Sequence, residues 1–174
     1  MRLDRLILEV LTYSRISRSE LSIIPVNLDN MMEDVLQTYP EIRASNAEIV
    51  LEQPLHFVLA AQTPLVQCIS NLLTNAVKFI PHGATAKVRV WTEKRDSTVR
   101  LLVEDNGIGI PGNLQSKIFE PFQRGHPRAG YEGTGMGLAI VRKAVQRMNG
   151  DVGVKSQDGH GSTFWLELPA APDV

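Results

Sequence analysis

Three short stretches hold the residues best suited to chemistry. In "NLLTNAVKF", residues 71–79, Asn71, Asn75 and Lys78 are spaced so that a helix projects all three from one side, with Phe79 at its edge. Asparagine weakens a helix interior, so two of them one turn apart suggest a ligand as readily as a solvated face. Amide oxygens suit a hard cation such as Mg²⁺, and a lysine alongside suits phosphate oxygens. In "EGTGMGLAIVRK", residues 132–143, Gly133, Gly135 and Gly137 precede an amphipathic helix, where backbone N–H groups and the helix N-terminus favour an anion. "DNGIGI", residues 105–110, puts an acid and two glycines behind a β-patterned run, and reads either as a tight turn or as half of a nucleotide pocket. The commoner phosphate fingerprints do not fit. There is no GxxxxGK[ST], and "GTGMG" does not follow a strand in a βαβ unit.

Composition narrows the classes. The chain has 174 residues, 18 basic against 19 acidic, and a net charge of −1, so a charge-steered nucleic-acid surface is disfavoured. Its single cysteine, Cys68, lies in an apolar pattern and reads as core. No apolar run reaches the roughly 20 residues of a membrane span, and the charged N-terminus does not resemble a signal peptide. A cytoplasmic segment without membrane contact is expected, whether or not a full-length parent is membrane-anchored.

These residues need elements to hold them. Leu3, Leu6, Ile7, Val10, Leu11 and Ile16 mark an amphipathic helix whose polar positions carry Asp4, Arg5, Glu9 and Arg15. Such a helix docks on its own domain or pairs with a partner helix. A Pro-containing connection follows, then a helix from about Leu28 with Asn27 as N-cap, placing a boundary near Ser19 to Pro25. "AEIVLEQPLHFVLA" predicts two strands broken at Pro54, and "AKVRVWTEKRDSTVRLLVED" a hairpin turning at "KRDS". Between them runs a long helix capped by Thr63 with Pro64 in its first turn, burying Leu65, Ile69, Leu72, Leu73 and Ala76. A last helix from about Gly135 to Met148 ends at "NG", and two strands, "DVGVKS" and "GSTFWLELP", close the chain. This order predicts an α+β layer sandwich rather than a doubly wound parallel sheet.

"NLLTNAVKF", "DNGIGI", "FEPFQRG" and "GTGMGLAIV", in this order and at these separations, resemble the N, first glycine, F and second glycine boxes of bacterial sensor histidine kinases. The resemblance covers nearly the whole chain. It implies a two-layer α/β sandwich of the Bergerat ATP-binding type, with a mixed, mostly antiparallel sheet and helices on one face. Heat-shock chaperone ATPases, type II topoisomerases and mismatch-repair ATPases share that fold. By position, Asp105 would accept a hydrogen bond from adenine's amino group, and an ionised carboxylate favours that amine over guanine's carbonyl. Gly107 and Gly109 would pass beneath the base, with Phe79 and Ile110 packed on it, although both apolar residues read equally well as core. Asn75 would bind Mg²⁺, while Asn71 and Lys78 would contact phosphate or its water. Arg124 would reach the terminal phosphate, with a solvated loop arginine as the alternative. Gly133, Thr134, Gly135, Met136, Gly137 and Leu138 form the second glycine box, Gln123 to Thr134 an ATP lid, and Thr163 a further position near the pocket or a plain strand residue.

In the related ATPases the position of Asn71 is a glutamate that activates water. A neutral amide is no general base, so the γ-phosphoryl would be kept for a positioned acceptor. The resemblance implies a histidine acceptor in an "HE" context. His56, His82, His126 and His160 all lack it, so the acceptor is expected outside the chain. Residues 1–24 resemble the end of the second helix of a dimerisation hairpin plus linker, and residues 25–174 the catalytic domain. The expected partners are that dimerisation domain, a downstream response regulator and, in the full-length protein, a second copy in a homodimer. The alternatives are a degenerate nucleotide-binding regulatory module and a serine kinase of the anti-sigma class.

Overall fold

The computed structural model describes residues 2–125 and 130–172. Two sheets and the helices that cover them are formed in the order helix, strand, two helices, two strands, helix, hairpin, two helices, two strands. The long central helix α4 (Gln62–Lys78) follows α1 (Arg2–Arg18), α2 (Leu28–Thr38) and α3 (Pro40–Ala44). A short α5 (Gly112–Gln115) and then α6 (Gly137–Arg147) complete the helices. The strands are β1 (Ile24–Asn27), β2 (Glu48–Leu51), β3 (Phe57–Ala60), β4 (Lys87–Arg95), β5 (Thr98–Asp105), β6 (Asp151–Ser156) and β7 (Ser162–Pro169). β2, β4, β5, β7 and β6 lie side by side in a five-stranded sheet, parallel only between β2 and β4, while β1 and β3 pair antiparallel in a small second sheet. This is the expected α+β sandwich with a mostly antiparallel sheet.

Strict alternation decides which face of the large sheet is covered. Val88, Val90, Val99, Leu101, Val103, Leu166 and Leu168 are buried beneath α4 and α6, and Leu65, Cys68, Ile69, Leu72, Leu73 and Ala76 of α4 meet them from above. Burial pushes the Cys68 thiol up to about 12, so it stays a neutral core residue, its Sγ donating to the Val141 carbonyl at 3.8 Å. The opposite face is a laminate of charge and aromatics. Trp91, Leu102, Trp165 and Gly153 form one cross-strand row, with Arg89 stacked 4.1 Å from the Trp91 ring and Arg100 3.8 Å from that of Trp165. Arg100 also meets Glu167 at 2.9 Å, a pair only about a fifth exposed, which fixes the guanidinium on the ring.

Several local expectations need correction. The "SIIPVN" connection contains β1, because Pro25 sits on a short edge strand that gives up only one ladder donor. Thr63 is not a cap. Ala61 is the N-cap, its carbonyl accepting from the Leu65 N–H at 3.1 Å, so α4 starts at Gln62. The last helix begins at Gly137, two residues later than predicted, because Gly135 is in the left-handed region at φ 77°. The N-cap at Asn27 is as expected, its Oδ1 accepting from Asp29 and Asn30.

The first helix departs most from its pattern. It docks on α6 through Ile16, and Arg147 of α6 donates to the Ile16 and Ser19 carbonyls at 2.6 and 2.8 Å, tying down its last turn. Leu6, Glu9, Tyr13 and Ile16 follow one another at steps of three and four and face the domain, with the Arg5 side chain at the edge of that side and 63% exposed. Leu3, Ile7 and Val10 are therefore on the far side, 67, 50 and 40% exposed. Leu73→Ala is expected to cost about 2–5 kcal/mol, whereas Leu11→Ala on the outward side of α1 should stay within about 0.5 kcal/mol of the parent, both read from urea unfolding curves.

Candidate functional site

α4 is amphipathic, and its two faces do different work. The apolar face packs on the sheet, so Asn71, Asn75 and Lys78 turn into a cavity closed by the end of β5, the segment after it, and the loop leading into α6. Asp105, Gly109, Ile110, Phe79, Arg124, Gly133, Thr134, Gly135, Gly137 and Leu138 line the same cavity. Of sixteen site residues singled out from sequence, the structure brings thirteen together around one space.

Asp105 ends β5 and is held by its own loop. Its Oδ1 accepts from the Gly107 N–H at 2.8 Å, and the Ser162 N–H also donates to the carboxylate. Burial raises the Asp105 carboxyl to about 6, with those two N–H donors pulling the other way. Such a carboxylate is short of donors, which a ligand amine could supply. Gly109 is required by its backbone: φ is 72°, and a Cβ there would fall 1.9 Å from the Gln157 carbonyl oxygen.

At the other end Lys78 is half-buried, its Nζ 5.1 Å from the Phe79 ring centroid. Burial, and then the charges of Arg5 and Arg124, lower its pKa from the usual lysine value. That cationic crowding favours an anion. Asn71 donates from Nδ2 to the Gly137 carbonyl at 3.1 Å and accepts from Gln67 at 3.2 Å. It thereby links α4 to the first turn of α6, a bond that a glutamate could not donate. Among the described residues the Asn75 side chain makes no hydrogen bond, although it lines the cavity.

Three expected residues sit elsewhere. Thr163 lies on the outer face of the sheet, opposite Glu104 and Lys155, because strand alternation gives the cavity to Ser162 and Phe164 instead. Met136 is buried as the N-cap of α6, its N–H donating to Thr134 Oγ1 at 3.3 Å. Gly107 supports the cavity from behind, where a Cβ would meet the Phe79 carbonyl oxygen at 2.4 Å. Of the expected lid, residues 126–129, His126 among them, lie outside the described residues. Arg124 donates to the Tyr131 carbonyl, and the Tyr131 hydroxyl donates to the Ile80 carbonyl at 2.6 Å. His82 stacks on Tyr131, while His56 bonds Thr92 on the sheet.

Sequence reasoning missed Ser162, Thr74 and the α1 pair Arg5 and Glu9 as lining residues, whereas Tyr131 falls within the expected lid. Ser162 was recoverable from strand phase. Arg5 and Glu9 were not, since only the docking of α1 brings them to the cavity.

Residues 60–172 match the family described as histidine kinase-, DNA gyrase B-, and HSP90-like ATPase. The chain is 33% identical over 168 residues to phytochrome-like protein Cph1 of Synechocystis sp., covering 96% of this chain and 22% of that protein. It is 37% identical over 174 residues to the sensor histidine kinase AruS of Pseudomonas aeruginosa, covering 94% of this chain and 17% of that one. Among solved structures, full-length ShkA in complex with AMPPNP superposes with a TM-score of 0.82 at 32% identity, covering 99% of this chain and 36% of that one. The nucleotide-free catalytic domain of histidine kinase ThkA gives 0.72 at 28% identity, covering 87% of this chain and 100% of that one. The chain thus spans about a fifth of the length of the curated relatives named here. With its ordered boxes, its sandwich and its polar cavity, the chain belongs to the histidine kinase-, DNA gyrase B- and HSP90-like ATPase family, among relatives that include sensor histidine kinases.

Proposed function

We propose that this chain is the ATP-binding catalytic unit of a two-component sensor histidine kinase, moving the γ-phosphoryl of Mg-ATP to a histidine on a dimerisation domain. The observation that carries the reading is the convergence of Asp105, Asn71, Asn75, Lys78 and Arg124 on one cavity. The Asp105 carboxylate, raised by burial, would accept from the adenine amine. Ile110 and Phe79 would flank the base, and Lys78 and Arg124 would meet the phosphates.

Asn75 fits a cation that takes few protein ligands. It offers a neutral oxygen, and among the described residues no cluster of His, Cys, Asp or Glu could hold a metal. When bound with ATP, Mg²⁺ would neutralise phosphate charge. Asn71 has no basicity with which to activate water, and its bond to Gly137 supports a positioning role instead. The reaction then consists of placement: an imidazole nitrogen attacks Pγ, the bond from Pγ to the β,γ-bridging oxygen breaks, and ADP leaves. A response regulator would take the phosphoryl onward; histidine kinase ThkA was solved in complex with response regulator TrrA, at a TM-score of 0.75 to this chain. Residues 1–24 fit the end of a dimerisation helix, and residues 25–174 the catalytic domain. A homodimer would form through the rest of that hairpin.

Calorimetric titration of ATP with and without Mg²⁺ tests binding. Asp105→Asn is expected to weaken it about 10- to 100-fold, the worth of a hydrogen bond to a charged group, and Asn75→Ala to remove the Mg²⁺-dependent part. Labelled ATP supplied with a separately purified dimerisation domain should label that domain's histidine; label on a serine-bearing partner instead would favour the anti-sigma class.

The Asp105 carboxyl gives a pH signature. Its folded value of about 6 lies above the ordinary 3.8, so its ionisation opposes folding: the contribution to stability is present below pH 4 and is lost as pH rises through 6. Adenine binding uses the ionised form and reverses that preference. The free protein should show a carboxyl NMR titration near pH 6 that moves down when ATP saturates the site, and ATP affinity should fall about tenfold from pH 7 to pH 5.

A further inference from the structure

The cavity already contains an anion that comes from outside the catalytic domain's own motifs. Glu9 of α1 reaches between the glycines of the second box, where its carboxylate accepts from the Thr134 hydroxyl. Its other oxygen receives Arg5 Nε at 3.3 Å, and the Glu9 side chain is only 20% exposed. Arg5 and Glu9 line the same cavity as Lys78 and Arg124. The charge of Arg5 also reaches Lys78, so this helix contributes to the cationic end of the site.

A polyphosphate entering here meets one carboxylate too many. Like charges in a partly desolvated site repel strongly, and the hydrogen-bond donor that Glu9 uses belongs to a loop built to approach an anion. We propose that Glu9 is a resident competitor for the nucleotide's phosphates, and that Arg5, which it holds at 3.3 Å, becomes a phosphate ligand once Glu9 is displaced. The inference rests on the ATP reading and goes beyond it. It makes the helix that leads into the catalytic domain part of the nucleotide site.

The consequence is a coupling between nucleotide and helix. α1 is held toward its C-terminal end by Tyr13, Ile16 and Arg147, and in its N-terminal half by the packing of Leu6 and the Glu9–Thr134 bond. Displacing Glu9 releases only the Glu9–Thr134 bond. Binding should therefore loosen the nucleotide end of α1 while leaving its last turn docked, and by reciprocity a tightly docked α1 should weaken binding.

The test is Mg-ATP calorimetry on the full chain and two kinds of variant. Glu9→Gln keeps an oxygen for Thr134 and removes the charge; Glu9→Ala removes both. Both should tighten ATP binding at least fivefold, Arg5→Ala should weaken it at least fivefold, and all three differences should shrink in 0.5 M salt. In the parent chain, ATP should speed amide hydrogen exchange over residues 5–12 and leave residues 15–19 unchanged. Parent-like or weaker binding by both Glu9 variants, unchanged binding by Arg5→Ala, or unaltered exchange in α1 would overturn the proposal. A folded parent chain that gives no heat with ATP would instead overturn the nucleotide reading, and this inference with it.

Discussion

The packing of α4 on the inner face of the five-stranded sheet is the constraint on which everything else depends. Leu65, Ile69, Leu72 and Leu73 fill the space between helix and strands, and interiors packed at crystal-like density leave such a helix almost no freedom to rotate. Its rotation decides where Asn71, Asn75 and Lys78 point. A small turn about the helix axis would bury the amides against valines or push core leucines into the cavity. Core stability and site geometry are thus set by the same contacts, and the bond from Asn71 to Gly137 carries that geometry on to α6.

The electrostatics follow from placing unlike groups at the two ends of one half-closed space. Asp105 sits among apolar and backbone groups, so desolvation dominates and its charge is expensive. Lys78 sits among other cations and is also desolvated, so its charge is expensive for two reasons. A ligand with an amine at one end and several negative charges at the other relieves both at once. Adenosine triphosphate has that polarity, which ties recognition of the base and of the phosphates to a single orientation. Until such a ligand arrives, part of the cationic excess is balanced by a carboxylate from α1.

Backbone approach is the other recurring device. The segment after β5 crosses so close to the 157–161 turn and to the end of α4 that side chains at Gly107 and Gly109 would strike carbonyl oxygens. The Phe79 carbonyl accepts from the Ile108 N–H at 2.9 Å, pinning this segment to α4. What reads in the sequence as a flexible glycine pattern is, in the fold, a fixed wall whose glycines are there for space.

The sequence by itself determined the elements and most of the cavity. Periodicity marks α4 and α6 because one face of each must meet the sheet, and alternation marks the hairpin of β4 and β5 because one face of that sheet is covered. The spacing of Asn71, Asn75 and Lys78 survives folding because helical geometry is local. Three kinds of fact depend on contacts between residues far apart in the chain, and only the tertiary structure decided them. Strand phase in the assembled sheet gave the cavity to Ser162 rather than Thr163. The left-handed turn at Gly135 moved the start of α6, and its N–H and carbonyl neighbours buried Met136. Most of all, α1 brings Glu9 inward beside Leu6, Tyr13 and Ile16 and leaves Leu3, Ile7, Leu8 and Leu11 outside, a division that periodicity alone does not give. Hydrophobic periodicity reports that a helix has two faces; which one meets the domain depends on what the opposing surface offers. Here that surface offers apolar core together with Thr134 and the Arg147 guanidinium, so a mixed stripe of Leu6, Glu9, Tyr13 and Ile16 docks.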